Sequence, residues 1–561
     1  MLQSDDPEPA QTAPNPFFEA DALPYGMPPF DRIDDDHFRP AIERGMVEQL
    51  REVTTIAGSD EPPTFINTII AIERSAALLN RLNRVFGNLN SVDSNPARRA
   101  IQREMSPRLA AHRDAILLDR RLFDRIEALY EQRDTLELDV ESLRLLERYH
   151  HDFVRAGARL NESKQQRLRE INAELADLTT HFSQNVLAEV NDAALILDDE
   201  EELRGLSAGS IRAAASEARE RDLDGKYVLT LQNFSNPPQL AHLHDRSVRE
   251  RLMAASLGRG TRGNDFDNRK IVARTFRLRA ERAGLLGYDN HAQFVLADQT
   301  AQTVDAIKDL HGHLAPAAVA NARREAAELQ ALIDETETEP FELAAWDWQY
   351  YAERLRQRRF DIDDAQIRPY FELDSVLVNG VFHAAERLYG LSFEERHDLP
   401  TYHPDVRVFE VFDRDGEPLA LFLGDFYARP AKRGGAWMNA YSVQSELLGG
   451  RPVVGNHQNI PKPPTGEPTL MTRSEVTTMF HEFGHALHGL LSNVTYPRFA
   501  ATAVPRDFVE YPSQVNEMWA LWPEVLANYA RHHETGERLP RELLERVLAS
   551  QQFNEGFRTT E

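Results

Sequence analysis

Apolar residues recur at spacings of three and four along most of this 561-residue chain. In the stretch 161–182, five of them would share one face of a helix: Leu168, Ile171, Leu175, Leu178 and Phe182. The same periodicity predicts helices over further stretches: 37–56, 64–87, 94–131, 138–155, 244–255, 266–285, 301–334, 344–357 and 373–389. We therefore expect the core to consist of helices that pack through these apolar faces.

Strand signals are few and lie close together. Residues 406–412 alternate apolar and polar side chains, 413–416 contain turn formers, and 419–427 read as a returning strand. Residues 452–455 are a candidate edge strand. The sequence therefore predicts a mainly α fold, with a small β-sheet next to a helix that begins near Thr472.

A chain of this length is too long for one compact core, so several subdomains are expected. Residues 1–29 are rich in proline and acidic residues, which is typical of a tail that orders late if at all. Residues 30–400 are predicted to form a predominantly helical region, and residues 401–561 a region that carries the chemistry.

Composition and charge exclude several classes of partner. The formal net charge is −26 and the pI about 5.2, so neither nucleic acid nor an anionic membrane surface is expected to bind. Residues 1–6 lack the basic and apolar regions of a signal peptide, and no apolar run approaches bilayer length. We expect a monomer, located in the cytoplasm, or in the periplasm if a signal peptide was removed.

The segment His481-Glu482-Phe483-Gly484-His485 contains the spacing H-E-x-x-H. Residues four apart lie on one face of a helix, so His481 and His485 can direct two imidazoles at one zinc ion. Glu482 lies beside them, where it can act as a general base. The chain has no cysteine, so a third zinc ligand must be a histidine or a carboxylate.

The helix that carries this motif has its own start signal. Thr472 and Glu475 fit a capping box, which predicts a helix beginning at about that point. Gly484 stands between the two histidines, although glycine weakens a helix. We therefore expect another part of the chain to pack closely there.

Residues downstream of the motif offer the remaining ligand. Asp507, Glu510 and Glu517 are all candidates, and a helix from about residue 508 would put Glu510 and Glu517 on one face. Spacing alone does not choose between these two. His488, three residues after His485, is interpreted as packing behind the ligands, and His457 as a core residue or one that faces substrate.

The motif region and several other stretches resemble a known family. The matching residues lie at 481–488, 506–514, 23–38, 346–351, 369–373, 425–429 and 432–437. On these residues the chain resembles the thimet oligopeptidase/oligopeptidase A family of zinc metallopeptidases, and most of all its bacterial peptidyl-dipeptidases. The resemblance extends over nearly the whole chain.

This resemblance implies one zinc ion per chain, with His481, His485 and Glu510 as ligands and Glu482 as the catalytic base. It implies a helical clamshell with a deep, narrow substrate channel between two halves, of which residues 30–400 form much of the walls. Such a channel admits short peptides and excludes folded proteins.

Further residues are expected to contact substrate or to support the metal ligands. Gly434 and Gly435, in a loop before the motif, are expected to line the channel together with His457. His488 and Asp507 are expected to support the metal ligands from behind.

The expected reaction is hydrolysis of short peptides with release of carboxyl-terminal dipeptides, and the alternative within the family is an endo-acting oligopeptidase. Members of the family continue beyond the position of Glu561, with a Gly- and Tyr-rich segment and a histidine that donate to the tetrahedral oxyanion. We therefore expect a truncated chain, and a third hypothesis is a chain that binds zinc and peptide without turnover.

Overall fold

The computed structural model describes residues 15–19, 22–231, 237–361 and 364–561. Its helices are α1 (Phe38–Ala57), α2 (Ala71–Arg74), α3 (Ala77–Val92), α4 (Pro96–Leu117), α5 (Arg120–Glu131), α6 (Val140–Ala156), α7 (Glu162–Asp192), α8 (Ala208–Glu220), α9 (Arg246–Leu257), α10 (Arg269–Leu285), α11 (His291–Leu296), α12 (Val304–Thr336), α13 (Trp348–Phe360), α14 (Asp364–Ile367), α15 (His383–Tyr389), α16 (Arg473–Leu490), α17 (Glu510–Glu517), α18 (Pro523–Tyr529), α19 (Arg541–Ala549) and α20 (Glu555–Thr560). Two π-helical segments, Phe65–Ile70 and Ser375–Phe382, lead into α2 and α15. The prediction of a mainly helical fold is confirmed.

Two stretches predicted as single helices are broken by local backbone features. The stretch 94–131 divides after Leu117, because the Asp119 side chain accepts a hydrogen bond from the backbone N–H of Leu122 and starts a new helix. The stretch 64–87 breaks before Ala77, where Ala76 has a φ of 63°. Such short breaks leave the hydrophobic spacing almost unchanged, so the pattern does not reveal them.

Within the described residues, seven strands form two sheets. The strands are β1 (Leu195–Leu197), β2 (Tyr227–Leu229), β3 (Ser392–Glu395), β4 (Arg407–Phe412), β5 (Pro418–Tyr427), β6 (Trp437–Ser442) and β7 (Val453–Ile460). Strands β1 and β2 pair antiparallel, and the other five form a sheet in the order β3-β4-β5-β7-β6. Among these described strands, β5 and β7 are the one parallel pair, and the predicted hairpin of β4 and β5 is confirmed.

The prediction of an edge strand at 452–455 is wrong about the position of the strand in the sheet and about its length. Strand β7 continues to Ile460 and lies inside the sheet, between β5 and β6. The edge strand on this side of the sheet is β6, which the hydrophobic pattern does not predict. Strand β7 contains three buried polar residues, Asn456, His457 and Gln458. Its sequence therefore lacks the continuous run of apolar residues that is typical of an interior strand.

Both faces of the larger sheet are covered. On one face, Phe422 and Val454 pack with Phe483 of α16, and the rings of Phe422 and Phe483 lie 5.3 Å apart. On the other face, Leu421 and Leu423 belong to a core shared with α1 and α3. Side chains alternate along β5, so one strand serves two cores and holds α16 in place.

Part of the stretch 1–29, which is predicted to be a tail, lies among the described residues. Phe17 and Met27 are buried in the same core as Leu421, so the described residues of this stretch pack against the sheet. Residues 1–14 and 20–21 lie outside the described residues. Leu391 and Phe409, which lie on either side of the expected boundary near residue 400, belong to one core. Among the described helices, none is both long and apolar enough to cross a membrane.

Candidate metal centre

The predicted capping box fixes the start of α16. The Thr472 hydroxyl accepts a hydrogen bond from the Glu475 backbone N–H at 3.1 Å, and the Glu475 carboxylate accepts one from the Thr472 backbone N–H at 2.7 Å. Gln458 of β7 also donates to the Glu475 carbonyl at 3.2 Å. The helix is therefore anchored two turns before the H-E-x-x-H motif.

The structure brings His481, His485 and Glu510 together. The Nε2 atoms of His481 and His485 each lie 3.1 Å from the same oxygen, Oε2 of Glu510. In a tetrahedral zinc site with bonds of about 2.0–2.1 Å, neighbouring ligand atoms lie about 3.3 Å apart. Two imidazole nitrogens and one carboxylate oxygen are also donors that zinc accepts, so these residues fit the ion that the sequence implies.

Gly484 allows the helix that carries Glu510 to lie against the motif. A Cβ atom at Gly484 would lie 2.6 Å from Cα of Ser513 and 2.8 Å from Cβ of Asn516, both in α17. The Asn516 side chain donates a hydrogen bond to the Phe480 carbonyl at 2.6 Å. The predicted close packing at Gly484 is confirmed, and it brings Glu510 within reach of both histidines.

Glu517 has a different partner from Glu510. Its Oε1 atom lies 2.6 Å from Nδ1 of His481, on the side of the ring opposite Nε2. A carboxylate in this position accepts the Nδ1 proton and leaves the Nε2 lone pair directed at the cluster. The sequence places Glu510 and Glu517 on one helical face, but it does not reveal that they meet opposite nitrogens of His481.

Glu482 is buried beside the cluster, and its Oε2 atom has no hydrogen-bond partner in the described part of the chain. Burial raises the pKa of its carboxyl to about 7, an effect that the His481 and Arg433 charges oppose and the Glu510 charge reinforces. A carboxyl with one free oxygen, next to two histidines, can exchange a proton with a molecule in the site.

The two residues expected behind the ligands lie in different surroundings. His488 is half-buried, burial lowers its pKa, and its Nδ1 has no hydrogen-bond partner among the described residues. Asp507 does not meet a ligand histidine; its carboxylate accepts hydrogen bonds from the backbone N–H groups of Thr300 at 3.0 Å and Ala301 at 2.9 Å. Asp507 thus connects the start of α17 to the loop before α12.

The residues expected to contact substrate lie around the loop between β5 and β6. Gly434 and Gly435 are in this loop, and the Gly435 carbonyl accepts a hydrogen bond from the Asn459 side chain at 2.6 Å. Gly435 has a φ of +85°, which favours glycine. His457 is fully buried and stacks on Trp437 at 4.8 Å, so the structure places it in the interior and not at an accessible surface.

A buried carboxylate that the sequence does not reveal holds this loop. Asp425 of β5 accepts hydrogen bonds from Arg429 at 2.8 Å, Lys432 at 3.0 Å, Tyr402 at 2.8 Å and His457 at 3.2 Å. Burial raises the pKa of Asp425, but Arg429, His457 and Lys432 together hold it well below its usual range. Because these partners lie in β7 and in two loops, only the folded chain brings them together.

The fold and the site together define the class of this protein. A capped helix presents two histidines, a second helix presents a carboxylate to both, and a buried glutamate lies beside them. This arrangement is that of a mainly helical metallopeptidase of the H-E-x-x-H type.

Comparison with known proteins identifies the family. A profile of peptidase family M3 matches residues 239–561. The chain is 42% identical to the dipeptidyl carboxypeptidase of Escherichia coli (strain K12) over 550 residues, which are 98% of this chain and 81% of that protein. It is 34% identical to oligopeptidase A of the same strain over 538 residues, or 94% of this chain and 79% of that protein. The chain belongs to peptidase family M3, and the resemblance stated from the sequence is confirmed.

Proposed function

We propose that the protein is a zinc peptidase that releases dipeptides from the carboxyl end of short peptides. The observation that carries the proposal is the meeting of His481, His485 and Glu510 beside Glu482. Identities of 42% and 43% to two dipeptidyl carboxypeptidases, against 34% to oligopeptidase A, support dipeptide release.

In this proposal His481, His485 and Glu510 hold the zinc ion. When bound, zinc supplies a Lewis acid that polarises the scissile carbonyl. Three protein ligands leave a fourth position open, which distinguishes a catalytic zinc site from a structural one. Glu517 keeps the His481 ring in the orientation and tautomer that a ligand requires.

Glu482 moves the proton. Its carboxylate takes a proton from the attacking water and afterwards gives it to the leaving amine. The Oε2 atom, which has no hydrogen bond to the described residues, is free to make these contacts. The carboxylate of Glu482 should therefore be needed for turnover but not for metal binding.

The test compares wild type with Glu482→Gln. Peptides of six to ten residues are digested and the products weighed by mass spectrometry, while the zinc content of each protein is measured. We expect wild type to release successive dipeptides, and Glu482→Gln to keep its zinc but to lose at least about 1,000-fold in kcat. Glu417→Gln, at an exposed turn between β4 and β5, is the matched control and should equal wild type. Full turnover by Glu482→Gln, or zinc binding without turnover by wild type, would contradict the proposal.

Endo-acting hydrolysis is the second candidate, because the identity to oligopeptidase A extends over 94% of this chain. The two candidates differ in what they require of the substrate. A dipeptide-releasing enzyme depends on a free carboxyl end, whereas an endo-acting one cleaves peptides with amidated ends equally well. Product masses from paired free and amidated peptides separate these two reactions.

A further inference from the structure

Arg84 of α3 is a half-buried cation whose charge is not compensated. Its guanidinium makes no hydrogen bond or ion pair with the residues that the structure describes. Burial lowers the pKa of this group, and no neighbouring carboxylate in the described part of the chain offsets the effect. Taking a charge out of water is costly unless an opposite charge or a hydrogen bond compensates it. The guanidinium of Arg84 is therefore available to a ligand.

Arg84 lines a cavity that α1, α3, the end of β6 and the segment around Phe17 form together. The cavity has a volume of about 400 Å³, which is within the range of small-molecule sites. Ala77, Arg81 and Arg84 line it at spacings of four and three, so one face of α3 forms a wall. Arg81 donates to the Phe17 carbonyl at 2.5 Å and connects this wall to the chain before α1. The helix thus sets the side of the cavity on which Arg84 lies.

Other charged side chains of the cavity have partners of their own. Arg44 of α1 bonds Glu48, one turn further along that helix, at 2.7 Å. Glu19 accepts a hydrogen bond from Arg32 at 2.7 Å. Each of these acids is thus neutralised by another arginine, and Arg84 differs because the described residues offer it no counterpart. An anion that enters the cavity meets a positive charge there, although the chain as a whole carries a net charge of −26.

Two free groups determine which anion fits. The guanidinium of Arg84 is planar, and its paired N–H groups match two oxygens of a carboxylate or a phosphate. Ser442, at the end of β6, lines the same cavity, and its hydroxyl makes no hydrogen bond to the described residues. A hydroxyl donates one hydrogen bond to an oxyanion. A spherical anion such as chloride matches the planar pair of N–H groups less well.

The cavity is separate from the candidate metal centre. The described residues that line it are all different from those that meet at that centre. The two places are connected through β6, because Asn88 of α3 donates to the Ala440 carbonyl at 3.0 Å and Met438 of the same strand approaches Gly489 of α16. Binding in the cavity therefore needs neither zinc nor a peptide, and it can be measured without turnover.

We propose that this cavity binds a small oxyanion, which Arg84 holds through its guanidinium and Ser442 through its hydroxyl. The ligand carries a carboxylate or a phosphate group, because both present paired oxygens and a negative charge. The site lies outside the peptidase function proposed above and does not depend on it. Arg84 is the residue that determines whether the anion binds.

The test is calorimetric titration of the zinc-loaded protein with inorganic phosphate, with acetate and, at equal ionic strength, with chloride. We expect saturable binding of at least one oxyanion, and the tighter of the two identifies the group that the site prefers. Arg84→Met keeps an apolar side chain of similar length and should weaken this binding at least about 10-fold. Ser442→Ala should weaken it about 2- to 10-fold. Arg120→Met, at an exposed position of α5 where the arginine pairs with Asp124, is the matched control and should bind as wild type.

Melting temperatures give a second readout. The oxyanion that binds should raise the melting temperature of wild type and of Arg120→Met but not that of Arg84→Met, because a ligand stabilises only a folded chain that has its site. Without the anion, Arg84→Met should melt no lower than wild type, since it removes an uncompensated charge.

Three results would overturn the proposal. They are the absence of saturable oxyanion binding to wild type, binding to Arg84→Met with wild-type affinity, and chloride binding as tight as that of the oxyanions. Arg84→Lys is the second variant for the case that Arg84→Met does not fold. It keeps the charge but loses the planar pair of N–H groups, so it should bind the oxyanion more weakly, and equal affinity would contradict the role of the guanidinium.

Discussion

Glu517 and His481 meet at the back of the candidate metal centre, where Oε1 of Glu517 lies 2.6 Å from Nδ1 of His481. The other ring nitrogen, Nε2, lies 3.1 Å from Glu510. One imidazole is therefore held between two carboxylates of a single helix, α17, that are seven residues apart. This contact explains how α17 supplies both a ligand and the group that orients another ligand.

Replacement of Glu510 and replacement of Glu517 should affect zinc binding differently. Glu510→Ala deletes a ligand and should abolish stoichiometric zinc binding. Glu517→Ala leaves three ligands but frees the His481 ring, so zinc affinity should fall about 10- to 100-fold. Competition with a chromophoric chelator measures both affinities. The opposite order, with Glu517→Ala the more damaging variant, would contradict the assignment of ligand and supporting residue.

Gly484→Ala should destabilise the protein, although alanine normally favours a helix over glycine by about 1 kcal/mol. The added Cβ would lie 2.6 Å from the Ser513 backbone, and overpacking of this kind costs roughly 1–3 kcal/mol. Thermal unfolding tests this prediction, because the melting temperature of Gly484→Ala should lie below that of wild type.

Gly87→Ala in α3 is the matched control, because nothing lies within 4 Å of its added Cβ. It should raise the melting temperature or leave it unchanged. A stabilising effect of Gly484→Ala would mean that α16 and α17 are not in close contact.

The free energy of unfolding should decrease as the pH falls from about 6.5 to about 4, between the pKa values of His457 in the unfolded and the folded chain. Burial lowers the pKa of His457 to about 4. The contact with Asp425 opposes this shift, and the positive charges of Lys432 and Arg429 reinforce it. The unfolded chain, with a histidine pKa near 6.5, therefore binds the proton first. The stabilising contribution is complete above about pH 6.5 and is lost towards pH 4, by about 3 kcal/mol at most.

The comparison of denaturant midpoints between pH 7 and pH 4.5 tests this prediction. Asp425 adds to the loss only at lower pH, because its pKa is held below its usual range. His457→Gln should reduce the pH dependence relative to wild type. Identical pH profiles for the two proteins would show that His457 is not buried in its neutral form.

Removal of the metal should destabilise the protein reversibly. A ligand that binds only the folded state stabilises it by about 4 kcal/mol at 1,000 times its dissociation constant. Treatment with a chelator should thus lower the melting temperature, and added zinc should restore both temperature and activity. His485→Ala should show no shift with zinc, and a shift of wild-type size in that variant would place the metal elsewhere.

The sequence predicts the helices and the motif well, because both depend on local spacing. The capping box of Thr472 and Glu475 and the close packing at Gly484 belong to this group. Strand β7 is predicted poorly, since Asn456, His457 and Gln458 are polar yet buried, and His457 finds its partner, Asp425, on another strand. The side of His481 that each glutamate contacts is equally hidden from the sequence, because it depends on how α17 crosses α16.

Anomalous diffraction at the zinc edge, from crystals of the zinc-loaded protein, tests the central claim most directly. We expect one strong peak per chain, bonded to Nε2 of His481, Nε2 of His485 and the Glu510 carboxylate, with Glu517 on Nδ1 of His481. A peak coordinated by Glu517 in place of Glu510, or no peak between the two histidines, would contradict it.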